Sequence, residues 1–169
     1  MRYNFAMNIV RPDIIVTDPE GEYLIVVEVK YGDRISDASA IEQLRRLMAS
    51  MGCSIGLAVV GGQSNSRIAL LRDSFEKDNG ESIDVVARAT LPDSLLPPLE
   101  EKWRGSREIE LVSRVQSWLE KLKLSSNSED LPKDLKEVLK EPVLNLLRIG
   151  EIRAGYLRRS SATMSRAVS

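Results

Sequence analysis

The sequence predicts an α/β fold, a mixed β-sheet flanked by helices with a C-terminal helical extension. Three observations lead there. Residues 8–90 alternate β-branched runs with one strongly amphipathic stretch, two of the runs are joined by an Asp-Pro-Glu-Gly turn, and the chain turns to helical periodicity after Pro92. We divide it into an α/β core, residues 1–92, and a helical extension with a basic tail, residues 93–169.

The first two strands are Asn8 to Thr17 (NIVRPDIIVT) and Glu22 to Tyr31 (EYLIVVEVKY). Between them, Pro19 is pre-set for the second position of a turn and Gly21 is free to take positive φ, so the pair reads as a hairpin. In Asp37 to Met51 the apolar residues Ile41, Leu44, Leu47, Met48 and Met51 recur at spacings of three and four, and Gly52 stops the helix. Ser54 to Val60 (SIGLAVV) is a fully buried strand ending in Gly61-Gly62. Ser66 to Lys77 is expected as a helix capped by Ser64, Asn65 or Ser66 and ended by Asn79-Gly80, and Ser82 to Ala89 as a further strand. Beyond Pro97-Pro98 a helix runs through Leu99 to Leu124, then a polar break over residues 125–130, then a helix from Lys133 to Leu147 interrupted near Pro142. Trp103 and Trp118 suit a core or a subunit interface, and the end of the chain is locally basic with Arg148, Arg153, Arg158, Arg159 and Arg166.

The 169 residues hold 24 Lys plus Arg against 25 Asp plus Glu, and no histidine. At this length folding buries roughly 70% of the chain's surface, so no disulfide or structural metal is needed for stability. A net charge of −1 gives no global attraction to nucleic acid, and any anionic partner has to be met by a local patch. The missing histidine excludes Ser-His-Asp and Cys-His catalysis and imidazole ligation of zinc. Cys53, the single cysteine, reads as a small core residue opening a strand. No apolar run reaches membrane-spanning length and the N-terminus lacks a signal-peptide stretch, so the expectation is a cytoplasmic protein without a membrane partner.

The chemistry concentrates in the hairpin. Leu24 to Val29 reads as buried strand, yet Glu28 and Lys30 stand two apart on the face of Val26, where burial is costly unless something pairs the charges. If Thr17 pairs with Glu22, Asp13 falls opposite Val26, on the face of Glu28 and diagonal to it by about 7–8 Å. A Gly bulge at the turn would shift pairing by one and send Asp13 to the other face, unless a second bulge compensates, for which Pro12 is a candidate place. Two carboxylates, a carbonyl and water make an oxygen-only site suited to Mg²⁺ or Mn²⁺, and a lysine beside it can position an attacking water.

Pro12-Asp13, 14 intervening residues, Glu28-Val29-Lys30 and a following helix bearing Gln43 together resemble the PD-(D/E)XK nuclease superfamily, the restriction-endonuclease-like fold, over about residues 8–90. The resemblance implies Asp13, Glu28 and the Val29 carbonyl as metal ligands, and Lys30 as the residue that assists the water. It implies Gln43 as a polar helix residue facing the site, and DNA as substrate. The family usually opens with a helix carrying a further acid, and residues 1–12 hold no Asp or Glu. Either the chain is a truncated form, a later helix or another subunit replaces that element, the site works with one metal, or it does not cut.

Three functions follow from these readings: a metal-dependent DNA nuclease, a non-cutting descendant that binds nucleic acid, and an assembly protein pairing as a homo-oligomer through the helices after residue 98. The remaining polar features are read as structural. Gln43, Arg45 and Arg46 flank the buried helix face, with Arg45 expected in solvent, and Gly61-Gly62 with Ser64 and Ser66 is a turn and cap without phosphate-loop spacing.

Overall fold

The computed structural model describes residues 11–32, 34–99, 105–125 and 130–155. Six strands form one sheet: β1 (Ile14–Thr17), β2 (Tyr23–Tyr31), β3 (Ile55–Gly61), β4 (Ser66–Asp73), β5 (Ile83–Leu91) and β6 (Glu151–Ala154), in the order β5-β4-β3-β2-β1-β6. The β2–β3 pair is parallel and the other four are antiparallel. Helix α1 (Asp37–Met51) makes the crossover between the parallel strands. Helices α2 (Arg107–Leu124), α3 (Lys133–Leu139) and α4 (Val143–Ile149) follow the sheet.

Alternation along the strands divides the core. Ile14, Val16, Val27, Val29, Leu57, Val59, Ile68 and Leu70 face α2, α3 and α4, against Leu111, Val115, Trp118, Leu119 and Leu135. Val26, Ala58, Val60, Ala69 and Leu71 face α1, against Ala40, Ile41, Leu44, Leu47 and Met48. Strands β2 and β3 are therefore buried on both faces, which is why they read as continuous apolar runs. The small side of this arrangement is under α1: a Cβ at Gly56 would lie 2.6 Å from Met48 Sδ, so the glycine lets the helix close onto β3.

Helix α1 begins where Ser36 accepts from the Ala38 and Ser39 N–H groups, and ends at Gly52 in the left-handed region (φ 66°). Its rotation is set partly by Arg45, which is half-buried rather than in solvent and donates from Nε to the Ile83 carbonyl at the start of β5. Cys53 is buried as a core residue beside Ile55, and burial pushes its thiol pKa up.

The expected helix over Ser66 to Lys77 is instead strand β4. Lying between β3 and β5 and buried on both faces, SRIALLRD carries no alternation; of the expected capping residues, Ser64 and Asn65 belong to the β3–β4 turn and Ser66 opens β4. Strand β6 was not anticipated: four residues, half of them charged, find their place only by pairing with the outer edge of β1. Within the described residues, the helix expected from Leu99 begins at Arg107, capped by Ser106, and that expected over Lys133 to Leu147 is two short helices meeting at Lys140 to Pro142. Trp118 is core, whereas Trp103, Arg158, Arg159 and Arg166 lie outside the described residues. No helix among the described residues is long and apolar enough to cross a membrane.

Candidate active site

The hairpin register decides whether Asp13 and Glu28 meet. Asp18 N–H donates to the Glu22 carbonyl and Gly21 N–H to Asp18 O, with Gly21 at φ 88°, so the loop is the three-residue type with a left-handed glycine. Asp18 Oδ1 also accepts from the Glu20 and Glu22 N–H groups. Thr17 consequently pairs with Tyr23 and not with Glu22. A β-bulge next to this pair then leaves Leu24 unmatched, and Val16, Ile15 and Ile14 pair with Ile25, Val26 and Val27. Two one-residue shifts add to two, so the face is conserved. Continuing the register sets Asp13 across from Glu28, closer than the diagonal position opposite Val26 expected from the sequence. The compensating bulge lies at Leu24 and not at Pro12.

Strand β1 stops at Ile14, and this leaves the N–H groups of Val29 and Tyr31 on the β2 edge without a strand partner. Two carboxylates take them. Asp13 Oδ2 accepts from Val29 N–H at 2.7 Å, and Glu108 Oε2 from Tyr31 N–H at 3.5 Å. The Val29 carbonyl points to the same edge as its N–H. The Asp13 main chain is tied down from outside by Gly155, whose N–H donates to Asp13 O.

Glu28 is 1% exposed, on the sheet face under α1 beside Ala58, its register partner on β3. Lys30 Nζ lies 3.4 Å from Glu28 Oε2 and keeps contact with solvent. The other oxygen, Oε1, is buried and has no hydrogen-bond partner among the described residues. Burial, then the neighbouring Asp13 charge, pushes the Glu28 pKa up to about 8 against the pull of Lys30. Asp13 is also raised, first by burial and further by Glu108, while the Val29 N–H and the Glu28 carboxyl pull it down. Both acids are therefore held above the ordinary carboxylate range, because two carboxylates this close cannot both ionise cheaply.

The structure therefore brings together Asp13, Glu28, the Val29 main chain and Lys30. Gln43 lies just over half a turn round α1 from Arg45, half-buried and making no hydrogen bond among the described residues. Glu108 is the member that sequence reading missed, because an acid in the first turn of a helix is ordinary complementation of the helix dipole and carries no signal of a site.

The oxygen donors and the unpartnered Glu28 Oε1 fit a hard divalent cation. Asp13, Glu28 and the Val29 carbonyl would hold it, and it would supply charge stabilisation at a phosphoryl oxygen. Among the described residues no cluster of three or more Asp, Glu, Cys or His has the geometry of a complete metal site. In comparisons with known proteins, no family model, curated protein or solved structure matches the chain.

Proposed function

We propose that the chain is a divalent-metal-dependent phosphodiester hydrolase with a restriction-endonuclease-like core, acting on DNA, in which Asp13, Glu28 and the Val29 carbonyl hold Mg²⁺ or Mn²⁺ and Lys30 positions the attacking water. One observation carries the reading: a buried carboxyl, Glu28, with an oxygen lacking a hydrogen-bond partner among the described residues, set against Asp13 and next to a lysine. A structural role gives little reason for it, since a buried carboxyl that faces a second acid and has only Lys30 to offset it costs stability, and a valine would serve the core better. The order strand, strand, helix, strand around Asp13, Glu28 and Lys30 also agrees with the sequence resemblance. Glu108, at the start of α2, accepts from Tyr31 N–H and raises the Asp13 pKa, and we read it as a stand-in for the acid absent from residues 1–12.

The experiment is Mn²⁺ titration of the full chain by calorimetry, alongside cleavage of supercoiled, linear and single-stranded DNA. The proposal expects Mn²⁺ binding that Asp13→Asn and Glu28→Gln each abolish, and metal-dependent cutting that is lost with it. Absence of both binding and cutting in the folded wild-type chain overturns it. Salt-dependent DNA binding without cutting, unchanged in both variants, would assign the chain to the non-cutting nucleic-acid binders.

A further inference from the structure

The end of the sheet opposite the acid pair carries the loop that joins β4 to β5. In it Phe75 is 61% exposed and holds φ 59°, a left-handed conformation that is costly for a bulky side chain. The surrounding loop keeps it there. Asp73 Oδ1, buried at the end of β4, accepts from Phe75 N–H at 2.8 Å, and Ser82 Oγ, also buried, accepts from Lys77 N–H at 2.7 Å. Ser74 N–H donates to the Ser82 carbonyl at 3.3 Å and closes the base of the loop. Two buried polar side chains therefore fix an aromatic ring in water, and strain that the surroundings over-determine is a mark of a functional position.

Beside this loop runs an open groove of about 430 Å³, between the C-terminal half of α1 and the turn at Gly80. Ala49, exposed on α1, is its floor, and a Cβ at Gly80 would lie 2.9 Å from Ala49 Cβ, so the glycine lets the turn close against the helix. Its charged walls are Glu42, Arg45, Arg46 and Glu81. Arg45 is committed, with Nε on the Ile83 carbonyl and Nη1 3.7 Å from Glu42. The Arg46 side chain is 76% exposed, and among the described residues it has a 3.6 Å ion pair from Nε to Glu42, which leaves its Nη groups and the flat face of the guanidinium open. Glu76 and Asp78, at the tip of the loop, are exposed and make no ion pair among the described residues.

We propose that loop and groove meet in a two-fold dimer of this chain, with Phe75 of each copy seated in the groove of the other. The ring lies on Ala49 and stacks on the Arg46 guanidinium, and Glu76 and Asp78 come opposite the same arginine. Ring and groove belong to one contiguous surface, since Phe75 and Glu81 both leave the rung closed by Ser74 and Ser82, and an isologous contact requires such a self-complementary patch. The groove's four charges sum to zero, so the attraction is local, at the outward guanidinium of Arg46. The loop carries Glu76, Asp78 and Glu81 against Lys77, and this acidic character disfavours a phosphate-rich partner, whether nucleic acid or membrane surface. Each ring buries roughly 150–250 Å², and two fall well short of the about 1,000 Å² of a stable interface. The dimer is accordingly weak, with a Kd on the order of 10–100 µM. The inference goes beyond the acid-site reading and does not rest on it.

The test is sedimentation equilibrium of the full chain from about 1 µM to about 500 µM. The expected result is a monomer–dimer equilibrium that stops at two copies. Phe75→Ser and Arg46→Glu, both at exposed positions, should each weaken it by about tenfold or more. Phe75→Gly, which takes positive φ without a Cβ penalty, should also lose the dimer while the dilute monomer stays at least as stable in urea, so the loss is not one of folding. A chain that remains monomeric at the highest concentration, a dimer that Phe75→Ser and Arg46→Glu leave unchanged, or assembly that grows beyond two copies overturns the proposal. Asp13→Asn should leave dimerisation unchanged, so failure here and failure of the acid-site reading are separable.

Discussion

Asp13 Oδ2 accepts a 2.7 Å hydrogen bond from the main-chain N–H of Val29. The bond joins the residue just before β1 to a donor near the end of β2, and the carboxylate replaces the carbonyl that a longer β1 would supply there. It also turns Asp13 toward Glu28, so one contact completes the edge of the sheet and assembles the acid pair.

Removing the acceptor and removing the charge should therefore have different effects. Asp13→Ala leaves a buried N–H unpaired and should destabilise the fold by about 1–3 kcal/mol. Asp13→Asn retains an acceptor oxygen and should cost less than half as much, while losing Mn²⁺ binding. Urea unfolding of the two variants makes the comparison, and equal losses would show that the charge rather than the hydrogen bond matters.

Glu28 makes stability depend on pH with a definite sign. Its folded pKa, about 8, lies above the ordinary glutamate value of 4.5, so the folded state binds the proton more tightly than the unfolded chain does. The contribution is complete below pH 4.5 and is lost as pH rises through about 8. Glu28→Gln, which cannot ionise, should flatten this decline and be more stable than wild type above pH 8. Thermal melts between pH 5 and 9 test it, and parallel profiles would refute the shift.

Under the hydrolase reading a bound cation competes with the proton on the acid pair, so Mn²⁺ affinity should rise with pH until about 8 and level off above it. Calorimetric titration in two buffers of different ionisation enthalpy should also register proton release below that pH. Affinity independent of pH across this range would place the metal elsewhere.

Lys30→Met should keep the aliphatic stem and remove the ammonium that stands 3.4 Å from Glu28. Under the hydrolase reading, cleavage falls by about 100-fold or more while Mn²⁺ binding persists. Full cleavage by this variant would take Lys30 out of the chemistry.

Away from the site, Arg114 closes the connection between sheet and α2. Its guanidinium bonds Asp93 and the carbonyls of Leu96 and Pro97. Arg114→Lys cannot reproduce that fork and should lower stability by about 1–3 kcal/mol in chemical denaturation, despite keeping the charge.

How much of this was legible varies by element. The hairpin, α1 and β3 were plain because an Asp-Pro-Glu-Gly turn, a three-and-four spacing closed by Gly52 and a continuous apolar run are local signals. Strand β4 was misread because burial on both faces erases the alternation that identifies a strand. Strand β6 is too short and polar to announce itself, and Glu108 looks like any acid at a helix start.

The sequence by itself determined that histidine chemistry is absent, that Glu28 and Lys30 share a face of a buried strand, and that Asp13 begins the strand beside it. Only the tertiary structure decided that Asp13 and Glu28 meet. A strand alternates with a period of two, so one shift at the Gly21 loop would have separated them, and the second, at Leu24, restores the face. Likewise Glu108 is 80 residues from Glu28 in the chain, and no local pattern records that packing α2 against the sheet carries its carboxylate to the β2 edge. Such proximity is a product of long-range packing, which brings the Glu108 charge close enough to raise the Asp13 pKa.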